Sequence, residues 1–428
     1  MNSIFHRQKQ RSHIIQTHKN SYSASRRQFL RRAGLLLSGL AVAGEAGGST
    51  SQRDQSRPNI VFILTDQHRR DGVGVYGQPG IKTPHLNQIA DEGIRFDNAY
   101  AAQPVCAPNR ASILSGLYPH AHGLLENTWS LSPRIETLAE LLSAHDYQCG
   151  YFGKWHLGRE NSQGFDTFPE YPSDGRGSNH YFDGPGGKRY AVDVITDDAL
   201  QYLQSNRQRP LYLYVSYYPP HPPYSVPVEF EAMYENTFPN DEHRRIYYAM
   251  CSKVDEQVGR ILRTLGDLDL AENTLVIFTT EHGHFFEHRW NDHSKRLCYD
   301  TAARIPMLMR YPGVIPAGQS TTELISSVDL VQTMLGLLNL EAPPGLQGRD
   351  LSQLARGEPG PRREAIYMEN YPYIDKGETP GPYNNEPAWG KGVERCVRDQ
   401  RYKLILSSER PPELYDMHTA DQETNNLW

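Results

Sequence analysis

The chain has 428 residues, 44 basic and 50 acidic side chains, a formal net charge of -6 and 38% hydrophobic content. This balance gives no footing for a nucleic-acid-binding surface, and the length exceeds what one core usually accommodates. Five cysteines are widely scattered without a Cys-x-x-Cys pair, and their odd number leaves at least one thiol unpaired.

The amino-terminal segment reads as an export signal over residues 1–47. Ser25-Arg26-Arg27-Gln28-Phe29-Leu30 precedes an apolar stretch from Ala33 to Ala43, which is too short to cross a bilayer and closes in small residues. Paired arginines before Phe-Leu resemble a twin-arginine signal, which implies export machinery and a periplasmic destination; a basic tail is the alternative. No other segment could span a membrane. The remaining chain divides into a large domain over residues 56–356 and a smaller one over 357–428, with the boundary set by Gly357, Pro359, Gly360 and Pro361.

Asn59-Ile60-Val61-Phe62-Ile63-Leu64 is an unbroken apolar run, the pattern of a strand buried on both faces of a parallel sheet, and it ends on Asp66-Gln67. Leu211 to Ser216 reads as another strand, and Ile246 to Leu265 as a helix whose apolar face holds Met250, Val254, Val258, Ile261, Leu262 and Leu265. Asn273 to Phe278 repeats the first strand's pattern and runs into Glu281-His282-Gly283. If the two acid-tipped strands lie side by side, Asp66 and Glu281 converge where ligands bind in open α/β sheets, and such crowded charge calls for a cation. Ala365 to Glu369, Val393 to Arg398 and Tyr402 to Leu406 predict a small antiparallel sheet, and Tyr371 to Trp389 a long loop.

The densest motif is Cys106-Ala107-Pro108-Asn109-Arg110, continuing to Gly116. Pro108 suits a first helical turn and Gly116 a helix end, which sets Cys106 at a helix amino terminus, where negative charge is favoured. By itself the pattern also fits a buried cysteine before an ordinary helix. Further on come Gly153-Lys154-Trp155-His156, in which the lysine and histidine would share a side of an extended segment, and His221 between Pro219-Pro220 and Pro222-Pro223. Lys295 precedes Tyr299-Asp300 and Arg304-Ile305-Pro306.

Together, and in this order, these segments resemble the type I, formylglycine-dependent sulfatases of the alkaline phosphatase superfamily. The resemblance implies an alkaline-phosphatase-like α/β sandwich with a central mixed, mostly parallel sheet and a small carboxyl-terminal antiparallel subdomain. It implies that a formylglycine-generating enzyme converts Cys106 to formylglycine (3-oxoalanine), whose hydrated gem-diol attacks sulfur. It further implies a metal held by Asp66, Gln67, Cys106, Glu281 and His282, and catalytic roles for Arg110, Lys154, His156, His221 and Lys295. Lys154 and Lys295 would bind the sulfate, His221 would protonate the leaving group, and His156 would regenerate the aldehyde. Two positions depart from the usual family pattern, Gln67 for Asp and Glu281 for Asp. The looser coordination shell of calcium suits the longer Glu281, with manganese or magnesium as alternatives. The substrate expected is a sulfated small molecule or glycan. A phosphodiesterase or phosphonate monoester hydrolase of the same fold, and a non-catalytic sulfated-glycan-binding relative, are the competing readings. Asp292 and His293 have no family role and suit either solvation or substrate recognition.

Overall fold

The computed structural model describes residues 57–77, 79–158, 162–171, 180–184, 186–206, 208–286, 295–360, 362–371, 392–419 and 423–428. The predicted export signal, Asp292, His293 and the predicted loop beyond Tyr371 lie outside them.

In chain order the strands are β1 (Asn59–Asp66), β2 (Ile94–Tyr100), β3 (Gln148–Gly153), β4 (Tyr181–Gly184), β5 (Gly187–Tyr190), β6 (Leu211–Pro220), β7 (Thr274–Thr280), β8 (Arg304–Ile305), β9 (Met307–Arg310) and β10 (Gln319–Ser326). They are followed by β11 (Ala365–Asn370), β12 (Glu394–Asp399), β13 (Tyr402–Ser407) and β14 (Glu413–Asp416). An eight-stranded sheet has the order β10-β2-β9-β7-β1-β6-β3, with β8 paired to β2. Its strands run parallel except for β8 and β9, which makes the sheet mixed and mostly parallel, as expected.

The apolar runs are continuous because alternate residues enter two different cores. Ile60, Phe62, Leu64, Leu275 and Ile277 pack in one layer with the Cys106–Ser115, Leu138–Ala144 and Leu330–Leu337 helices. Val61, Ile63, Val276 and Phe278 pack in the other with the Pro84–Asp91, Ala191–Ser205 and Glu242–Asp267 helices. These strand residues are at most 1% exposed, and each fully buried aliphatic or aromatic side chain contributes about 1.5–3 kcal/mol. The sandwich is thus fixed by strands with no polar face.

Several elements outrun the sequence reading. The last large helix of the second layer begins at Glu242 rather than near Ile246, because the Asp241 side chain accepts the Arg244 N–H at 2.9 Å and caps an earlier turn. Strand β7 starts at Thr274, since Ala271–Asn273 forms a 3-10 turn. Strand β6 runs on to Pro220, opposite Asp66 past an irregularity in β1.

The four-stranded antiparallel sheet has the order β11-β12-β13-β14. Sequence pattern supplied three of these strands within a residue or two and did not single out β14 as a strand. The sheet's inner residues Ile366, Met368, Cys396 and Ile405 share a core with Tyr100, Cys298, Tyr299 and Leu324. All five cysteines are buried as free thiols. Among the described residues no helix is long and apolar enough to cross a membrane.

Candidate active site

The parallel pairing of β1 with β7 ends at Thr65 opposite Thr280, and the Glu281 N–H donates to Thr65 O at 3.2 Å. Asp66 and Glu281 therefore leave neighbouring strands at the same level, both fully buried. Cys106 opens a helix buried along its whole length, ended by Gly116 in the left-handed conformation. Val105 supplies no side-chain cap, and Cys106 stands in the first turn, where the helix dipole favours negative charge. The Ala107 N–H donates to Asn127 Oδ1 at 3.0 Å.

These elements meet at one point. Ligand atoms of Asp66, Cys106, Glu281 and His282 all lie within 4.8 Å of one another. Cys106 Sγ is 3.2 Å from His282 Nε2 and 3.7 Å from Asp66 Oδ1, and His282 Nε2 is 3.5 Å from Glu281 Oε1. Two cations from other segments close on this cluster. Lys154 Nζ pairs with Asp66 Oδ2 and stands 3.8 Å from Glu281 Oε1, while Lys295 Nζ reaches Cys106 Sγ at 3.0 Å. Arg110 pairs with Glu281 and is anchored behind it, donating to Ser216 Oγ at 2.7 Å and Lys154 O at 2.8 Å. The extra methylene of glutamate is thus accommodated by an arginine that meets the carboxylate from one residue past the helix's first turn.

The lysine segment departs from the expected geometry. Strand β3 ends at Gly153, and His156 has φ of 62°, so Lys154 and His156 do not share a face of an extended strand. Gly153 makes the turn possible: at φ of 112° its backbone passes so close to β6 that a Cβ would lie 1.9 Å from Ser216 O. The Lys154 N–H then donates to that same carbonyl at 2.9 Å, and the ammonium turns into the site. His156 is brought to the same centre by this turn, with Lys154, Glu281, Arg110 and Asp66 acting on its charge.

Electrostatics follow from crowding of buried charge. Burial and the Asp66 charge oppose ionisation of Cys106, yet Lys154, Lys295 and His282 outweigh them and hold the thiol well below its usual range. Burial raises the Asp66 carboxyl, but Lys154 and His221 reverse the shift and keep it ionised. Glu281 is pushed upward, by burial first and by the neighbouring Asp66 and Cys106 charges, against the pull of Arg110. Burial and Lys154 lower His156 to about 3. His221 is held well below the ordinary imidazole value by burial, with Lys295 and Lys154 adding to it against Asp66. Its Nδ1 lies 2.6 Å from Pro222 O and its Nε2 3.2 Å from Lys295 Nζ. Carbonyl and ammonium together fix the neutral tautomer, with Nδ1–H donating to Pro222 and Nε2 left to accept.

The donor set fits a divalent cation. Gln67 Oε1 is buried without a hydrogen-bond donor, and an uncompensated buried oxygen is unfavourable unless a ligand meets it. Carboxylates of Asp66 and Glu281, the Gln67 amide oxygen and the His282 imidazole make a hard, oxygen-rich set. Sequence reasoning missed the support behind Gln67. Its Nε2 is 2.6 Å from His284 Nδ1, and His284 Nε2 is 2.8 Å from Tyr224 Oη. With the amide NH₂ turned to the imidazole, Oε1 is the free atom. Ser216 was missed as well, although it sits near the carboxyl end of a parallel strand, as Asp66 does.

Residues 58–340 match the family described as sulfatase, and residues 286–428 match the carboxyl-terminal region described for N-sulphoglucosamine sulphohydrolase. The chain belongs to the sulfatase family. It is 33% identical over 410 residues to the ulvan-active sulfatase of Formosa agariphila, covering 88% of this chain and 78% of that protein. A solved complex of BT4656 with its substrate D-glucosamine-2-N,6-O-disulfate superimposes with a TM-score of 0.76 at 26% identity, covering 87% of this chain and 93% of that one. The phosphonate monoester hydrolase of Agrobacterium radiobacter shares the fold, with a TM-score of 0.73 at 23% identity over 87% of this chain and 91% of the other. The present sulfatase, a sulfuric ester hydrolase by family, accordingly has the alkaline-phosphatase-like fold that its motifs imply.

Proposed function

We propose that this sulfatase hydrolyses a sulfate ester of a sulfated carbohydrate, with Cys106 matured to formylglycine. The observation that carries the reading is the single buried centre in which Cys106 meets Asp66, Glu281 and His282 under Lys154 and Lys295. A solved relative bound to a disulfated glucosamine supports the carbohydrate.

Matured Cys106 supplies an oxygen nucleophile, and a divalent cation held by Asp66, Gln67, Glu281, His282 and residue 106 supplies electrophilic polarisation. Calcium is the first choice, since a glutamate and a neutral amide suit its loose shell; manganese or magnesium is the alternative. The chain's own side chains do the rest. Lys154 and Lys295 meet the outer sulfate oxygens, where charge needs stabilising as the ester bond breaks. Arg110 holds Glu281 in place and keeps positive charge beside residue 106. His221, fixed by Pro222, presents Nε2 toward Lys295 and the leaving oxygen; an anionic sulfate there favours the imidazolium that delivers the proton. His156, kept neutral, takes the proton whose removal frees the product.

The fold shared with a phosphonate monoester hydrolase supports a second reading, a phosphodiesterase or phosphonate hydrolase. Mass spectrometry of the peptide containing residue 106, joined to kcat/KM on aryl sulfates and on phosphate diesters, separates the two. Formylglycine with faster sulfate turnover is expected; faster diester turnover moves the assignment to the rival, and unmodified thiol throughout removes the nucleophile. We also propose export through the twin-arginine route into the periplasm, which the paired arginines before Ala33–Ala43 support. Replacing Arg26 and Arg27 by lysine should retain the precursor in the cytoplasm of its host.

A further inference from the structure

Lys295 is expected to do demanding work, because a flexible four-carbon chain must hold its ammonium 3.0 Å from Cys106 Sγ and 3.2 Å from His221 Nε2. Nothing in the lysine itself fixes that position. The next residue is another matter. Arg296 is only 7% exposed and has φ of 89°, a left-handed backbone that favours glycine and carries strain on the order of 1–3 kcal/mol in other residues. Something must hold it there.

The holder is Glu126, fully buried on the segment that follows the Cys106 helix. Arg296 Nη1 donates to Glu126 Oε2 at 2.8 Å and Nη2 donates to Oε1 at 2.9 Å, a parallel two-bond fork of the strongest side-chain geometry. The Arg296 N–H donates to Pro104 O at 3.1 Å, two residues before Cys106. Glu126 is held in turn, since Oε1 accepts the Asn127 N–H at 2.8 Å. The peptide joining Lys295 to Arg296 is therefore pinned on both backbone and side chain to the two segments that flank the nucleophile.

We propose that Glu126 is a positioning residue for sulfate binding. Through the Arg296 fork it sets the backbone from which Lys295 reaches the nucleophile, and it touches no substrate itself. A buried fork is poor evidence for stability alone, because apolar residues could fill the same volume at no loss. It does fix an angle, and a lysine displaced by about 1 Å at a reacting centre loses roughly a hundredfold in rate. The inference rests on the roles proposed above for Cys106 and Lys295.

The test uses the mature full chain with its formylglycine content measured, and reads kcat and KM on 4-nitrophenyl sulfate, inhibition by inorganic sulfate, and the melting midpoint. Glu126→Gln and Arg296→Lys should each lower kcat/KM by roughly a hundredfold and weaken inhibition by inorganic sulfate. Arg296→Lys keeps the charge and removes only the fork, so it covers the case in which Glu126→Gln fails to fold. The deciding measurement combines Glu126→Gln with Lys295→Ala. If Glu126 acts through Lys295, adding Glu126→Gln to Lys295→Ala should change kcat/KM by no more than about twofold. A full hundredfold loss in that background, or unaltered inhibition by sulfate in both single variants, overturns the proposal. Absence of aryl sulfate turnover in formylglycine-bearing wild-type protein would instead overturn the roles of Cys106 and Lys295, and this inference with them.

Discussion

Among the described residues, two clusters of buried charge are built to different specifications. At the junction of the two sheets, Lys403 Nζ donates to Asp300 Oδ1 at 2.9 Å and Glu423 Oε1 at 2.7 Å, while Glu423 Oε2 accepts the Asp300 N–H at 2.8 Å. Tyr100 Oη donates to the remaining Asp300 oxygen at 3.1 Å, and the Arg398 guanidinium lies 5.0 Å over the Tyr100 ring. In the pocket at the end of β1 and β7, by contrast, Gln67 Oε1 has no hydrogen-bond donor and His156 Nδ1 has no partner. At the junction Lys403, Asp300 and Glu423 satisfy one another. In the pocket an unmet amide oxygen and an unmet imidazole nitrogen remain, which suits the cation and substrate proposed above.

The largest expected effect breaks the pocket without touching the junction. Cys106→Ala should abolish turnover of aryl sulfates, by a factor on the order of 10⁴ or more, with the melting midpoint nearly unchanged. A melting loss as large as the activity loss would show that the pocket is also a structural element.

Lys403→Met makes the reciprocal change. Removing Lys403 takes the ammonium from between the buried carboxylates of Asp300 and Glu423, and the expected loss is about 3–5 kcal/mol, read as a lower urea midpoint. At temperatures where the variant stays folded, kcat should be close to that of the parent. A selective fall in kcat would mean that the junction shapes the cleft.

His221→Ala sharpens the assignment within the pocket. A general acid matters most for poor leaving groups, so the loss should be roughly a hundredfold or more on an alkyl or sugar sulfate and much smaller on 4-nitrophenyl sulfate. Equal losses on both would place His221 in binding instead.

The difference between the two regions also explains what was legible in the sequence. Asp66, Cys106, Glu281 and His282 were readable because each lies on or beside an element with a strong pattern: a double-faced apolar strand or a helix bounded by proline and glycine. The three strands β11, β12 and β13 were readable for the same reason. Lys403 was visible only as a member of the strand predicted from Tyr402 to Leu406, since nothing local says that its partners are Asp300 and Glu423, about a hundred residues before it and twenty after it in the chain. The Glu126 to Arg296 fork spans 170 positions and joins two loops that have no periodicity. The lysine and histidine of the Gly153–His156 turn were identified, but the supposed extended backbone was wrong because Gly153 meets Ser216 at a contact only the tertiary fold creates.

The smallest predicted effect concerns His122, a satisfied group directly behind the catalytic helix. Its Nδ1 accepts the Leu124 N–H at 3.1 Å, which leaves Nε2–H to donate to Ser112 Oγ at 3.1 Å, so the neutral ring is the one that fits. Burial lowers its pKa from 6.5 to about 4. The folded chain then binds fewer protons than the unfolded chain between those values, so this contribution is complete above pH 6.5 and is lost as pH falls toward 4. It amounts to a few kcal/mol at most, at about 1.4 kcal/mol for each tenfold change in proton affinity. His68 and His180, each also lowered to about 4 by burial, add to the same slope. His122→Gln should therefore make the urea midpoint fall less steeply between pH 6.5 and 4 while leaving part of the slope. Because Ser112 belongs to the helix that begins at Cys106, turnover at neutral pH is the companion measurement. If turnover changes as much as the acid slope does, the helix transmits strain to the nucleophile, and the division between structural and functional charge fails along that helix.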